Sequence, residues 1–147
     1  MRTISSLGEL EKALQERMQK ALEATKSQAE VDMHEELGAY YASGEPGNGP
    51  FNYVRTGAMF DTPRTSPVSG GGNTASFEAY LDTSHRYTTG DYPGMEQVLM
   101  LANYGAPWTT KGGNPAHQTV GQKGFWERAQ QKMEKTAIST FGQFFSK

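Results

Sequence analysis

The sequence contains no cysteine and no apolar run long enough to cross a bilayer. Without cysteine the chain forms neither disulfides nor thiolate metal sites, which excludes cysteine-based zinc and iron–sulfur chemistry. Without an apolar run of about 18 residues it has no transmembrane helix. The first residues, Met1-Arg2-Thr3-Ile4, lead into a charged amphipathic stretch and not into the apolar core of a signal peptide. We therefore expect a soluble protein that is made and used without export and has no membrane partner.

Excess charge of either sign is also lacking. The chain carries 14 Lys plus Arg against 16 Asp plus Glu, a net charge of −2, so as a whole it lacks the basic surface of a nucleic-acid-binding protein. The length of 147 residues predicts a single domain over residues 1–147. Only 35% of the residues are hydrophobic, and 17 glycines with 7 prolines predict large loops.

Proline is absent from both ends of the chain, and this divides the domain into three parts. All seven prolines lie in residues 43–124, whereas residues 1–42 and 125–147 have the apolar spacing of amphipathic helices. The order is helix, loop-rich centre, helix. This order predicts an α+β fold in which a long N-terminal helix and a C-terminal helix pack on a small, mostly antiparallel sheet with long loops.

The first helix is predicted to begin with a capping box. Ser6 and Glu9 are three residues apart, so each side chain can bond a free backbone N–H of the first turn. A helix from Leu7 to Leu37 would be roughly 45 Å long, which exceeds what a compact domain of this size needs. Either the helix breaks near Thr25, or another subunit covers part of its apolar stripe. That stripe begins with Leu7, Leu10, Leu14 and Met18.

The centre of the chain is predicted to contain strands and a short helix. Residues 74–82 alternate strictly between the two faces of a strand, one of them apolar, which predicts a half-buried strand. The glycines at 70–72 predict a turn that pairs it with a strand near 61–68, where two prolines make the pairing irregular. Residues 95–104 have an apolar helical face and predict a short helix.

No residue pattern points to an enzyme or a metal site. The histidines His34, His85 and His117 have no partner at metal-ligand spacing, and we expect His34 to be solvated on an acidic helix surface. Asp82 and His85 could approach across a turn as the acid–base pair of a hydrolase, but no serine on a strained strand-to-helix turn accompanies them. We expect no catalytic residue, no cofactor and no bound metal.

The two ends of the chain carry opposite charge. Residues 1–50 contain five basic and nine acidic side chains, whereas residues 122–147 contain five basic and two acidic. Either both helix faces are simply solvated, or the acidic and basic surfaces of neighbouring copies face each other and set their register.

Several short motifs follow one another in a recognisable order. After the N-terminal amphipathic helix, Thr56-Gly57-Ala58-Met59 forms a Thr-Gly-x-hydrophobic turn, and a Tyr-Gly element follows the strands at Ala102-Asn103-Tyr104-Gly105. A loop bearing Pro115-Ala116-His117 then leads to a helix that starts at Phe125-Trp126. This order, over roughly residues 5–140, resembles the tail-completion, or head–tail joining, proteins of long-tailed bacteriophages, which are also described as minor tail components.

The resemblance implies a non-enzymatic structural protein of the virion neck, made in the host cytoplasm. Members form homo-oligomeric rings, commonly hexamers, between the capsid connector or adaptor and the tail terminator or tail tube. DNA passes through the lumen without sequence-specific binding. The long loops at 43–52 and 106–124 would supply contact surfaces between copies. The expected interface residues are Phe51, Arg55, Trp108, Lys111, Phe141, Phe144 and Phe145.

Two other functions fit the sequence. A tail terminator is also a small α+β ring-forming protein, and the sequence does not separate it from a completion protein. A small carbohydrate- or ligand-binding module would instead use aromatic side chains as a stacking platform. The platform residues would be Tyr40, Tyr41, Tyr87, Tyr92 and Trp108.

Overall fold

The computed structural model describes residues 6–42, 58–71, 74–86, 94–104 and 123–146. These residues form an α+β structure with a long N-terminal helix, a C-terminal helix and two small antiparallel sheets, as predicted. The helices are α1 (Leu7–Ala42), α2 (Met95–Tyr104) and α3 (Phe125–Gln143). The strands are β1 (Pro63–Thr65), β2 (Ser69–Gly71), β3 (Thr74–Ser76) and β4 (Ala79–Leu81).

Helix α1 is continuous over 36 residues, or roughly 54 Å. It begins as predicted, because the backbone N–H of Glu9 donates to Ser6 Oγ at 3.2 Å. The break near Thr25, one of the two alternatives that the sequence leaves open, does not occur. Thr25 is buried, and its hydroxyl donates to the carbonyl oxygen of Ala21 at 2.8 Å, so the polar group is satisfied inside the helix. The whole apolar stripe of α1 therefore lies on one uninterrupted helix.

The four strands form one hairpin in two parts. β1 pairs with β4 and β2 with β3, both antiparallel, and Gly71 lies opposite Thr74 near the tip. The strand predicted over 74–82 is interrupted at residues 77–78, where the backbone N–H of Glu78 donates to Ser66 Oγ at 2.8 Å. The predicted alternation is confirmed, since every second residue from 75 to 81 is half-buried and those between are exposed.

The core lies at the C-terminal end of α1, where α2 and the start of α3 meet it. The ring centroids of Tyr40 and Phe125 are 5.8 Å apart, and Leu37 and Met95 are fully buried in the same cluster. Helix α2 occupies the predicted residues 95–104, and its apolar face completes this cluster. The core thus contains residues of the N-terminal helix, the central segment and the C-terminal helix.

Helix α3 lies antiparallel to α1. The contacts that align the two helices are Arg128 with Glu36, Lys132 with Glu35, and Thr136 with Asp32. Rising residue numbers along α3 therefore match falling numbers along α1. None of the helices within the described ranges is long and apolar enough to span a membrane.

Candidate interaction surface

Helix α3 is shorter than α1 and ends before it reaches the first turns of α1. Thr136 contacts Asp32, and Gln143, the last residue of α3, comes seven residues later. In an antiparallel pair this places Gln143 opposite roughly residue 25 of α1. Residues 7–20, about 21 Å of helix, extend beyond the end of α3.

The extension of α1 exposes the apolar residues that the sequence places on one face. We call Leu7, Leu10, Leu14 and Met18 the leucine stripe. Leu7 is 88% exposed, Leu10 43% and Leu14 48%, whereas Ala21, the next residue on the same face, is fully buried. Apolar side chains aligned on an exposed face are typical of a surface that binds another protein. The leucine stripe is therefore a candidate interface.

A seam of charged side chains joins α1 to α3. Arg128 Nε donates to Glu36 Oε2 at 3.2 Å, and Lys132 donates to Glu35. The hydrogen bond to Glu35 raises the pKa of Lys132, and partial burial opposes this shift. Part of the opposite charge at the two ends of the sequence is thus paired within one chain. This corrects the expectation that these charges are either simply solvated or face neighbouring copies.

Asp32 is a carboxylate buried within the same seam. It is fully buried, and it accepts hydrogen bonds from the Thr136 hydroxyl and from Gln28 Nε2, the latter at 3.0 Å. A buried polar group is costly unless its hydrogen bonds are made. Any shift of α3 along α1 would separate Asp32 from Thr136, so this contact fixes the register of the two helices.

The start of α3 is held by Asn103, which lies near the end of α2. Gly124 occupies the N-cap position with φ of 80° and has no side chain to cap the helix. Asn103 Oδ1 accepts the backbone N–H of Trp126 at 2.9 Å instead. Its Nδ2 donates to the two carboxylate oxygens of Glu127 at 3.0 and 2.8 Å. These hydrogen bonds from Asn103 are the main reason that the pKa of Glu127 is lowered.

Replacing Asn103 by alanine should lower the free energy of unfolding by about 2 kcal/mol, because the first turn of α3 loses its cap and Trp126 N–H loses its acceptor. Urea denaturation measures this loss. The lowered pKa of Glu127 adds stability above the pKa of the unfolded chain, and this stability disappears as the pH falls through the folded-state pKa. The variant should lose the part of that acid dependence that the Asn103 hydrogen bonds supply, which is the largest. Identical pH profiles for the variant and the parent protein would contradict the assignment.

An apolar groove of about 240 Å³ lies between β4, α2 and the start of α3. Its rim exposes Tyr80, Met100 and Tyr104, which are 45%, 52% and 63% exposed. Leu99 and Phe125 line the groove from the core side. The groove is a second apolar surface, and it lies at the opposite end of α1 from the leucine stripe.

The prediction that Tyr40 belongs to the stacking platform of a carbohydrate-binding module is wrong. This side chain is buried in the core, and Tyr41 is half-buried with its ring centroid 5.5 Å from that of Tyr40. Tyr40 lies on the face of α1 that packs against Phe125, so the Tyr40 ring cannot stack on a sugar. The other three platform residues, Tyr87, Tyr92 and Trp108, lie outside the described residues.

Three of the expected interface residues lie at the end of α3. Phe141 and Phe144 are half-buried, Phe145 is 44% exposed, and the ring centroids of Phe141 and Phe145 are 5.0 Å apart. We call these three residues the aromatic end of α3. Their place at an interface stays a prediction. The remaining expected residues, Phe51, Arg55, Trp108 and Lys111, lie outside the described residues.

Two of the titratable side chains considered for chemistry, His34 and Asp82, have structural partners, and His117 lies outside the described residues. His34 is half-buried, and its ring packs edge-on against Phe60 at 5.0 Å, so the expectation of a solvated histidine is wrong. Hydrogen bonds from Ser84 lower the pKa of Asp82, and Arg64 adds a smaller effect. Within the ranges that the structure covers, no group of three or more His, Asp or Glu side chains is placed to hold a metal ion.

Sequence reasoning missed Asn103 and Asp32 as residues that position the helices. A weak signal exists for Asp32, because it is an acidic residue at a position where the α1 spacing calls for an apolar one. The role of Asn103 carries no such signal. Its partners Trp126 and Glu127 lie more than twenty residues away in the sequence.

Comparison with known proteins gives no relative, because no protein-family model, curated protein or solved structure matches the chain. A functional proposal therefore depends on the surfaces described above and on the motifs of the sequence. Among the described residues, the exposed apolar surfaces include the leucine stripe, the aromatic end of α3 and the groove beside α2.

Proposed function

We propose that the chain is a structural protein of the neck of a long-tailed bacteriophage, where a ring of six copies joins the capsid connector to the tail. The observation that carries the proposal is the leucine stripe, an apolar helix face that extends beyond the end of α3. Exposed apolar faces mark surfaces that contact other molecules, and a component of an assembly requires such a surface. The role is mechanical and requires no catalytic group.

The placement of two different apolar surfaces supports a ring. The leucine stripe lies at the N-terminal end of α1, and the groove beside α2 lies near Tyr40, so roughly 39 Å of helix separates Leu14 from that level. A cyclic ring needs heterologous contacts, in which one surface of each copy meets a different surface of the next. The motif order from Thr56 to Trp126 supports the neck assignment independently of this geometry.

Antibody labelling of assembled particles tests the neck assignment. Particles produced by the genome that encodes the chain should bind gold-labelled antibody at the junction between capsid and tail. Antibody raised against the major capsid protein serves as the control for access and labelling. Label along the tail shaft, or particles that lack the chain, would contradict the proposal. Label at the junction in tails purified without capsids would favour the tail terminator over the completion protein.

A ligand-binding module is the second candidate, because the groove beside α2 exposes Tyr80 and Tyr104 at its rim. Exposed aromatic rings flanking a groove can stack on sugar rings. Screening the purified chain against a glycan array tests this function. Binding that is lost in a Tyr80→Ala variant would favour the module over the neck protein, and an array without binding would remove it.

A further inference from the structure

Helix α3 is held on the protein mainly by its first two turns. Phe125 and Ala129 are each 1% exposed, and Trp126 packs against the core cluster. The side chain of Asn103 accepts the backbone N–H of Trp126 in the same turn. The described residues from 130 to 146 are all half-buried or exposed. The burial that anchors α3 is therefore concentrated at the end of the helix beside α2.

The polar contacts between α3 and α1 end at Thr136. Arg128 and Lys132 pair with glutamates of α1, and the Thr136 hydroxyl donates to Asp32. We call residues 137–145 the distal segment. Among the described residues, the hydrogen bonds of the distal segment stay within α3 and the turn that follows it. Beyond Thr136, no polar contact in the described part of the chain ties α3 to α1.

The distal segment also has a weaker preference for a helix than the residues before it. Residues 127–135 consist of Glu, Arg, Ala, Gln, Lys and Met, which are strong helix formers. Residues 138–142, Ile-Ser-Thr-Phe-Gly, are weak ones. The Ser139 hydroxyl donates to the carbonyl oxygen of Thr136 at 3.0 Å, a bond that competes with the backbone ladder. The helical preference of α3 therefore falls where its polar contacts with α1 end.

The face of α1 beside the distal segment contains small and polar residues. Thr25 lies two turns before Asp32 on the same face, and Ala21 lies one turn further. By the alignment of Thr136 with Asp32, both residues lie near the level of the aromatic end of α3. Both are buried, but an alanine and a threonine bury little apolar area. Separating the distal segment from α1 should therefore cost less free energy than separating Phe125 from the core.

We propose that the distal segment is a releasable part of α3, which detaches from α1 and unwinds as one unit while residues 125–135 stay in place. Thr136 is the hinge, because it is the last residue held by a polar contact with α1. Release takes the aromatic end away from α1 and uncovers Thr25 and Ala21. These two residues continue the leucine stripe, whose exposed length then grows to roughly 27 Å.

The closed and released states offer different apolar surfaces. In the closed state the exposed face of α1 ends at the leucine stripe, and in the released state it extends under the former position of the distal segment. The two states belong to the single chain and do not depend on the neck assignment. Release of the segment leaves the antibody experiment to decide the neck role, and failure of either experiment leaves the other standing.

Native-state hydrogen exchange at increasing urea concentration, followed by NMR, tests the release on the purified chain. The backbone amides of residues 138–145 should share one opening free energy and one urea dependence, because they open together. Their protection should be at least about a hundredfold below that of residues 129–135, which open only with the core. Protection that declines residue by residue toward the end of α3 would be ordinary helix fraying and would overturn the proposal. Exchange of the segment only through global unfolding would overturn it too.

Two sets of variants separate release from global unfolding. Leu99→Ala removes a buried core side chain and should lower the protection of residues 129–135 at least about thirtyfold, while the distal segment keeps its protection. Ser139→Ala combined with Gly142→Ala should raise the protection of the distal segment about tenfold, because alanine favours a helix more than serine or glycine. Gly142 has no positive φ and has open space where its Cβ atom would be.

Gly8→Ala is the matched control for the double variant. Gly8 is also a helical glycine with open space around it, but it lies in the first turn of α1. This variant should leave the protection of the distal segment unchanged. A distal segment that loses protection in Leu99→Ala as strongly as residues 129–135 do, or that gains none in the double variant, would contradict an independent release.

Cysteine labelling tests whether release uncovers α1, because the chain has no cysteine of its own. A Thr25→Cys variant should react with a small thiol reagent at least about tenfold faster than an Ala129→Cys variant, whose thiol becomes accessible only when the core unfolds. Adding Ser139→Ala and Gly142→Ala to Thr25→Cys should slow its reaction about tenfold. Equal rates for Thr25→Cys and Ala129→Cys would show that this face of α1 stays covered, and the proposal would fail.

Discussion

Replacing Phe125 by alanine is expected to lower the free energy of unfolding by about 3–5 kcal/mol. Phe125 is 1% exposed, and its ring lies 5.8 Å from that of Tyr40. Phe125 is the first residue of α3 and packs where α1, α2 and α3 meet. Removing its ring therefore leaves a cavity at that point. Denaturant unfolding followed by circular dichroism measures the change.

Ile138→Ala is the matched control for this prediction. Ile138 lies on the same helix and is 73% exposed, so its truncation removes little buried area and should change the free energy of unfolding by less than about 0.5 kcal/mol. If both variants lost the same stability, the core would not lie where the structure places it. If Phe125→Ala lost less than 1 kcal/mol, α3 would not be anchored through this ring.

The helices and the hairpin could be predicted from the sequence because their signals are local. Ser6 and Glu9 are three residues apart, and the alternation over 74–82 needs only neighbouring residues to be read. The interruption at residues 77–78 could not be predicted in this way. It coincides with a hydrogen bond from Glu78 to Ser66, which the hairpin brings close from twelve residues away.

The charge of the two ends could be counted in the sequence, but its partners could not be assigned. Glu36 and Arg128 are 92 residues apart, and no local pattern indicates that they meet. The choice between solvated charges, neighbouring copies and an intrachain seam depends on the relative direction of α1 and α3. The contacts of Arg128 with Glu36, Lys132 with Glu35 and Thr136 with Asp32 together show that direction, and only the folded chain reveals them.

The length of α1 is the feature that links the sequence to the proposed assembly. The apolar spacing predicted a helix too long for the domain and left two explanations, a break near Thr25 or a second subunit. The structure removes the first, because α1 is continuous and Thr25 bonds to Ala21. The sequence could not predict at which level of α1 helix α3 ends. That level determines which leucines of α1 remain exposed.

Gly70 lies near the tip of the hairpin in a backbone conformation that favours glycine. A Gly70→Ala variant should lower the free energy of unfolding by roughly 2–4 kcal/mol, because two costs add. Gly70 has φ of 120°, a conformation that residues with a side chain rarely adopt. A Cβ atom there would lie 2.5 Å from the carbonyl oxygen of Thr74 and 2.8 Å from the Cα of Ala75, both backbone atoms that cannot turn aside. Urea unfolding measures the total loss.

Gly71→Ala is the matched control, because it also replaces a glycine by alanine but at a position without a positive φ or a steric clash. Gly71 is the next residue, pairs with Thr74 in the same ladder, and has open space where its Cβ atom would be. This variant should lose less than about 0.5 kcal/mol. Amide hydrogen exchange shows where the stability is lost. Gly70→Ala should speed exchange in β2 and β3 before it affects the β1–β4 ladder. Equal losses in the two variants would mean that the tip does not hold Gly70 in the conformation described.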